Sequence, residues 1–280
     1  MNDYAPQTTH NYWKEWIDKR ADLHNHTIFS DGKSTAEEVI QAAIAHNLEI
    51  VGISDHAPLP FTGIKWCIAQ ERLSAYIKEL IGLKNKYRDK IKVLVGMEIA
   101  YFEGCEAHLR TLPWSLLDYA IGSVHFFSYK KANGNPFGID SSALEFATAV
   151  LAAENIQNIC RDYYSLVIKA AQSGHFTFIG HFDLVKKFNL NYAYFKPEED
   201  WYQQMSLQAL KEVSKTGVPL EVNTSAKRKG HDEYYPSTVL IKEAIRLNIP
   251  LFFNSDSHHC QDVGYGRLPL NNNIQAQQLY

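Results

Sequence analysis

Histidines and carboxylates recur in this chain at spacings that suit the binding of metal ions. His24 and His26 end the run Asp22-Leu23-His24-Asn25-His26, and Asp55-His56 end another. Glu98 follows Gly96-Met97, and His125 closes Gly122-Ser123-Val124-His125. His181 and Asp183 stand two apart, as do Asp256 and His258. On an extended strand, residues i and i+2 point to the same side, so each such pair can face one ion. Imidazole and carboxylate without thiolate suit zinc, iron or manganese rather than calcium. A carboxylate set among histidines, as Glu98 is, can bridge two ions, and ions so held acidify water into a nucleophile near neutral pH. A lone His-x-His or Asp-His carries little weight, the latter because it can cap a helix. The weight comes from the recurrence of such residues at strand end after strand end.

These residues need elements that bring them together. Short apolar runs at 21–26, 49–55, 92–100, 119–127, 176–183, 219–224 and 250–256 read as strands. Several are apolar almost to their last residues, the pattern of parallel strands buried on both faces. Amphipathic stretches at 35–46, 69–88, 105–112, 141–173, 198–215 and 236–247 read as the intervening helices. Ser34 with Glu37 predicts a capping box at the start of the first helix, and Gly174 and Gly217 predict helix ends. Strand–helix alternation of this kind predicts an α/β fold, either a βα barrel or an open doubly wound sheet. No Gly-x-Gly-x-x-Gly follows the first strand, so nothing indicates a dinucleotide site. In a βα barrel the catalytic groups converge on the C-terminal rim. Six of the twelve histidines fall at that rim in this reading, which is why the pattern points to a site rather than to scattered core residues.

Bulk properties narrow the classes further. The 280 residues carry a net charge of -3 and show no basic stripe, which argues against nucleic acid and anionic membrane as partners. A small phosphorylated substrate remains open, because local basic residues decide that. Cys67, Cys105, Cys160 and Cys260 form no Cys-x-x-Cys pair and no disulfide framework, which fits a reducing compartment. No signal peptide or membrane helix is evident, so the expected location is the cytoplasm. The expected organisation is one domain over 1–280, with residues 1–20 as an N-terminal extension and about 267–280 as an irregular polar tail. Nothing in the sequence indicates an oligomeric state.

Asp22-Leu23-His24-Asn25-His26-Thr27 with Ser30-Asp31-Gly32, Ser54-Asp55-His56, Gly96-Met97-Glu98, Gly122-Ser123-Val124-His125, Gly180-His181-Phe182-Asp183 and Ser255-Asp256-Ser257-His258 resemble the motifs of the polymerase-and-histidinol-phosphatase (PHP) superfamily, in its order. Ser54-Asp55-His56-Ala57-Pro58-Leu59-Pro60, Asp118 through His125, and Glu221-Val222-Asn223-Thr224-Ser225 are most similar to its histidinol-phosphate phosphatases. That resemblance implies a distorted seven-stranded (β/α) TIM-like barrel holding two or three divalent metal ions. It implies His24, His26, Glu98 and Asp256 around one ion. A second would share Glu98 and take His125 and His181, and a third would use Asp31, His56 and His258. Asp55 would orient a ligand. The implied activity is hydrolysis of L-histidinol phosphate in histidine biosynthesis, with Glu98 and Asp256 at the reacting centre.

A phosphomonoester dianion needs positive charge besides the metals. Arg228, beyond the sixth strand, is the first candidate, because the guanidinium fork matches phosphate oxygens. Arg161 and Lys186 follow, with Lys187 beside it, against the plainer reading of each as surface charge. His231 is a candidate acid for the leaving alkoxide. Phe61, Trp66, Phe126 and Phe127 are candidates to flank a substrate ring. Two rival readings stand: a PHP phosphoesterase acting on nucleotides or a phosphodiester, and a non-catalytic metal-binding structural module.

Overall fold

The computed structural model describes residues 13–266. A short helix, α1 (Lys14–Ile17), precedes the first strand, β1 (Ala21–Asp22). There follow α2 (Ala36–Ala45), β2 (Ile50–Ile53), α3 (Leu73–Tyr87), β3 (Lys92–Ala100), α4 (Glu106–Leu109) and β4 (Tyr119–Ser123). A hairpin of β5 (Phe126–Lys130) and β6 (Pro136–Gly138) comes next, then α5 (Ala143–Ala152), α6 (Ile156–Gln172) and β7 (Phe178–Ile179). The chain ends its described course with α7 (Asp200–Ser214), β8 (Leu220–Asn223), α8 (Ser225–Arg228), α9 (Thr238–Arg246) and β9 (Leu251–Asn254). Seven strands pair in parallel in the order β1-β2-β3-β4-β7-β8-β9. An isolated parallel bridge between Asn25 and Ser257 joins the two outer strands. There His26 N–H donates to the Ser257 carbonyl at 2.8 Å and Ser257 N–H to the His24 carbonyl at 3.2 Å. The sheet is therefore a barrel, closed at the strand ends that carry the histidines, and distorted because β1 and β7 contribute two ladder residues each.

Alternation along the strands divides the barrel interior into two zones. Leu23, Ile50, Leu94, Tyr119, Ile121, Phe178 and Phe252 join Trp16 and Ile17 of α1 in one apolar cluster, so α1 plugs the N-terminal end. Four residues further along the same inward-facing rows stand Glu98 (from Leu94 through Gly96) and Asp256 (from Phe252 through Asn254). The Tyr119 ring crosses the barrel, and its hydroxyl donates to the Leu23 carbonyl at 2.6 Å. A Cβ at Gly52 or Gly96 would overlap that ring, so both strands must carry glycine where it passes. The opposite faces of the strands pack Val51, Val93, Val95, Leu220, Val222 and Phe253 against the helices in a second, larger core. Burial on both faces explains why the strands read as unbroken apolar runs.

Several boundaries differ from the sequence reading. The capping box of α2 is Thr35 with Glu38, one residue later than Ser34 with Glu37. The Ser34 hydroxyl instead accepts from Cys260 N–H at 3.0 Å, a contact across the barrel closure that local pattern cannot reveal. The helix expected over 141–173 is two, because Glu154 adopts a left-handed conformation and Asn155 caps a new start. The strand expected over 119–127 ends at Ser123, and 126–138 form the antiparallel hairpin. α8 was not anticipated. Gly174 and Gly217 do take positive φ just past helices, as expected. Among the described residues no helix is long and apolar enough to cross a membrane.

Candidate metal centre

The six histidines and three carboxylates read from the sequence converge above the apolar plug. Glu98, 2% exposed, lies at their centre. Its Oε2 is 3.2 Å from His24 Nε2, 3.5 Å from His26 Nε2 and 2.8 Å from His56 Nδ1. Its Oε1 is 3.0 Å from His125 Nε2 and 2.9 Å from His181 Nε2. One carboxylate thus meets five imidazoles that follow four strands, β1 giving two of them. Asp256 Oδ1 approaches His26 Nε2 at 3.4 Å and His24 Nε2 at 3.8 Å. On the outer side Asp31 lies 3.8 Å from His26 Nδ1, 3.8 Å from His56 Nε2 and 3.4 Å from His258 Nε2.

Local structure explains how the chain presents these groups. Asn25 is stapled to both neighbouring strands: its amide donates to the Gly52 carbonyl at 3.0 Å and its Oδ1 accepts from the Ser257 hydroxyl at 2.6 Å. With Asn25 so held, His24 and His26 both turn inward. Asp55 is buried and accepts from Thr27 N–H and Thr27 Oγ1, each at 2.8 Å, and from the Ser30 hydroxyl. It therefore fixes the loop that carries Asp31. His181 and Asp256 take positive φ, so the backbone bends at the points where they leave their strands.

The electrostatics fit cation binding. Burial opposes charge on Glu98, yet His56, His24 and His125 hold its carboxyl well below the usual carboxylate range. Burial drives His26 down to about 3, reinforced by His258 and His56 beside it. Burial opposes charge on His125 too, but Glu98 and Asp140 outweigh it and push the ring up to about 10. His24 Nε2, both ring nitrogens of His26 and His181 Nδ1 are buried with no hydrogen-bond partner. Buried polar atoms are rarely left so in a protein interior, and nitrogen lone pairs facing carboxylates are what a divalent ion requires. Three groupings bring ligand atoms close enough for one ion: His26, Asp31, His56 and His258; His24, His26 and Glu98; and His56, Glu98 and His125. The donor set therefore fits metal ions. The groupings differ from the expected sharing in giving His26 and His56 two possible neighbours each.

A pocket of about 440 Å³ opens over this cluster. Asp31, His56, Glu98, His125, His181, Asp256 and His258 line it, while His24 and His26 lie beneath. Its cationic side is Lys187, Arg228 and Lys229. Arg228 donates to the Asp256 carbonyl at 2.9 Å and the Ser255 carbonyl at 3.3 Å, and its Nε is 3.5 Å from Asp262. Trp66 forms an aromatic wall, 4.6 Å from the His56 ring and 5.6 Å from the His125 ring.

Other sequence-derived candidates fall elsewhere. Arg161 is exposed on α6 and donates to Asn158 Oδ1 at 2.6 Å, because the buried face of that helix is given to Ile159, Tyr163 and Leu166. Lys186 turns away from the pocket to pair with buried Asp183 at 2.8 Å and to donate to the Tyr234 carbonyl. Asp183, which was expected to share an ion with His181, also accepts from Ser237 N–H at 2.9 Å and does not join the cluster. The bend at His181 breaks the strand alternation that linked the two. His231 is half-buried beside Tyr235 and does not line the pocket. Phe61 and Phe126 pack on each other and Phe127 on Phe146, leaving Trp66 as the aromatic candidate at the pocket. Sequence reasoning missed Asp140, which pairs with His125 Nδ1 at 3.5 Å and with Lys187 at 3.4 Å. It follows the unanticipated hairpin, so no strand end signals it. The buried carboxylate of Glu221 was noted for its motif and given no task.

A parallel barrel with histidines and carboxylates gathered at its C-terminal rim defines a metal-dependent hydrolase. The PHP domain family matches residues 22–225. A protein of Deinococcus radiodurans named probable histidinol-phosphatase is 32% identical over 247 residues, covering 87% of this chain and 88% of the relative. The histidinol-phosphatase of Bacillus subtilis is 29% identical, covering 88% and 96%. This chain belongs to the PHP domain family, among its histidinol-phosphatases. A crystal structure of a candidate histidinol phosphatase from Listeria monocytogenes superposes with a TM-score of 0.79 at 25% identity, covering 88% of this chain and 98% of that one. The fold is shared as well with the histidinol phosphate phosphatase of Lactococcus lactis, solved with zinc, L-histidinol and phosphate, at a TM-score of 0.66 and 20% identity, covering 93% and 94%.

Proposed function

We propose that this chain hydrolyses L-histidinol phosphate to L-histidinol and inorganic phosphate, a step of histidine biosynthesis, as the names of its relatives indicate. The observation that carries the reading is Glu98, a buried carboxylate ringed by five imidazoles on the floor of a pocket whose side is cationic. His24, His26, Glu98 and Asp256 would hold one metal ion, Glu98, His125 and His181 a second, and Asp31, His56 and His258 a third. Zinc, iron and manganese all accept these donors. Bound there, such ions would supply Lewis acidity, activating water and offsetting negative charge on phosphoryl oxygens.

The chain's own residues do the rest. Arg228, Lys187 and Lys229 receive the phosphate dianion, and charge placed in advance stabilises the transition state without reorganisation. Carbonyls of Ser255 and Asp256 hold the Arg228 fork in place, so little side-chain freedom is lost when phosphate arrives. Trp66 offers a face for the substrate imidazole. The departing alcohol takes its proton from solvent at the pocket mouth, a role His231 is not placed to fill. The test is phosphate release by purified, metal-loaded protein from histidinol phosphate, a nucleoside monophosphate and a short oligonucleotide. Turnover of the first well above the other two is expected, and no release from it would sink the proposal.

A further inference from the structure

Glu221 is fully buried on β8 and faces the barrel interior beneath the cluster. Its Oε1 lies 2.7 Å from His24 Nδ1 and accepts from the Asn254 amide at 3.0 Å. Its Oε2 accepts from the backbone N–H of His181 at 2.9 Å and from the Asn223 amide at 3.0 Å. Three of these partners, Asn254, His181 N–H and Asn223, are donors, and an ionised carboxylate is acceptor-only, so the His24 Nδ1 contact is an N–H donating to Glu221. With that hydrogen committed, the lone pair left to His24 is on Nε2, the atom that faces Glu98 Oε2 at 3.2 Å and Asp256 Oδ1 at 3.8 Å and has no hydrogen-bond partner. The same carboxylate ties down the backbone of His181 where φ is +21°, a conformation that non-glycine residues rarely adopt unaided.

We infer that Glu221 is the positioning residue of the metal centre: it fixes the tautomer and ring orientation of His24 and the backbone bend that delivers His181, and so sets the affinity of the site for its metal. The inference rests on the reading of the rim as a metal centre. A carboxylate that orients a ligating imidazole typically tunes metal affinity ~10–100-fold. Glutamine in its place keeps the shape but offers one acceptor atom where two are used. Its amide must then oppose either the His181 N–H and Asn223 amide or the His24 ring nitrogen.

The test is the metal dissociation constant of Glu221→Gln, measured for zinc by competition with a chromophoric chelator, beside far-UV circular dichroism. The expected result is a loss of affinity of ~10–100-fold with the fold intact. At saturating zinc, kcat returns towards the parent value and the KM for histidinol phosphate is unchanged. In a His24→Ala background the further loss caused by Glu221→Gln should shrink, because part of its effect runs through that ring. Should Glu221→Gln fail to fold, Glu221→Asp keeps the charge but withdraws it from His24, and is read in the same way. Zinc affinity within about twofold of the parent in the folded variant overturns the inference. Failure of the parent itself to bind zinc would instead overturn the reading of the site, and the two outcomes are distinguishable without any activity measurement.

Discussion

The two ends of the barrel interior are built from the same strands and obey opposite rules. At the N-terminal end Trp16, Leu94, Tyr119, Phe178 and Phe252 exclude water and satisfy one another by contact. At the C-terminal end Glu98, Glu221 and Asp256 are buried among histidines, several of whose ring nitrogens have no hydrogen-bond partner. Burying that many ionisable groups opposes folding unless each is paired. The contrast teaches that the lower half supplies the stability and the upper half spends some of it on a cation site.

Substitutions at the two ends should separate these roles. The largest effect is expected for Glu98→Gln. Removing the carboxylate shared by five histidines should lower phosphate release by more than ~10³-fold, beyond the loss of a single oxyanion donor. Chelation of the parent should give the same loss with circular dichroism preserved, and unfolding on chelation would instead favour a structural role for the metal. Next comes Trp16→Ala at the other end. Loss of this buried ring should cost ~3–5 kcal/mol in denaturant unfolding, with kcat retained in the folded fraction. A Trp16→Ala protein as stable as the parent would break the comparison, since α1 would then not be the floor of the barrel. The smallest effect is expected at the pocket side. Lys187→Ala should raise the KM for histidinol phosphate about tenfold, the ~1.5 kcal/mol of a weak charged hydrogen bond. Lys186→Ala should leave KM alone and lower stability, because Lys186 neutralises buried Asp183.

The division between the ends also explains what could be read in the sequence. Most of the residues that cluster at the rim were legible because they sit near a strand terminus, where an apolar run breaks to histidine or carboxylate; Glu98 lies inside β3 and Asp31 in the loop after β1, and resemblance rather than strand position marked Asp31. The parallel sheet was legible because its strands, buried on both faces, show as unbroken apolar runs; its closure into a barrel came only from the family resemblance, because the closing contact joins Asn25 to Ser257. Misreadings cluster where tertiary contacts override local pattern. Ser34 looks like a cap and is instead engaged by Cys260 from beyond β9. Asp183 keeps strand spacing to His181, but the bend at His181 turns it towards Ser237 and Lys186. Lys186 and Lys187 are chemically alike in sequence, and a single 3-10 turn decides which one lines the pocket. Asp140 arrives through a hairpin that interrupts the strand–helix alternation, so nothing local marks it.

The Tyr119 ring crossing the barrel between Gly52 and Gly96 has a consequence for how this sequence can drift. With that ring in place, neither glycine can gain even a methyl group. With a small residue at 119, both positions become free and the Leu23 carbonyl loses its donor. The three sites therefore behave as one inherited character, spread over three strands and 67 positions apart at the extremes. Distant relatives should keep the trio whole or have exchanged all of it, and a lineage with only one member replaced should be rare.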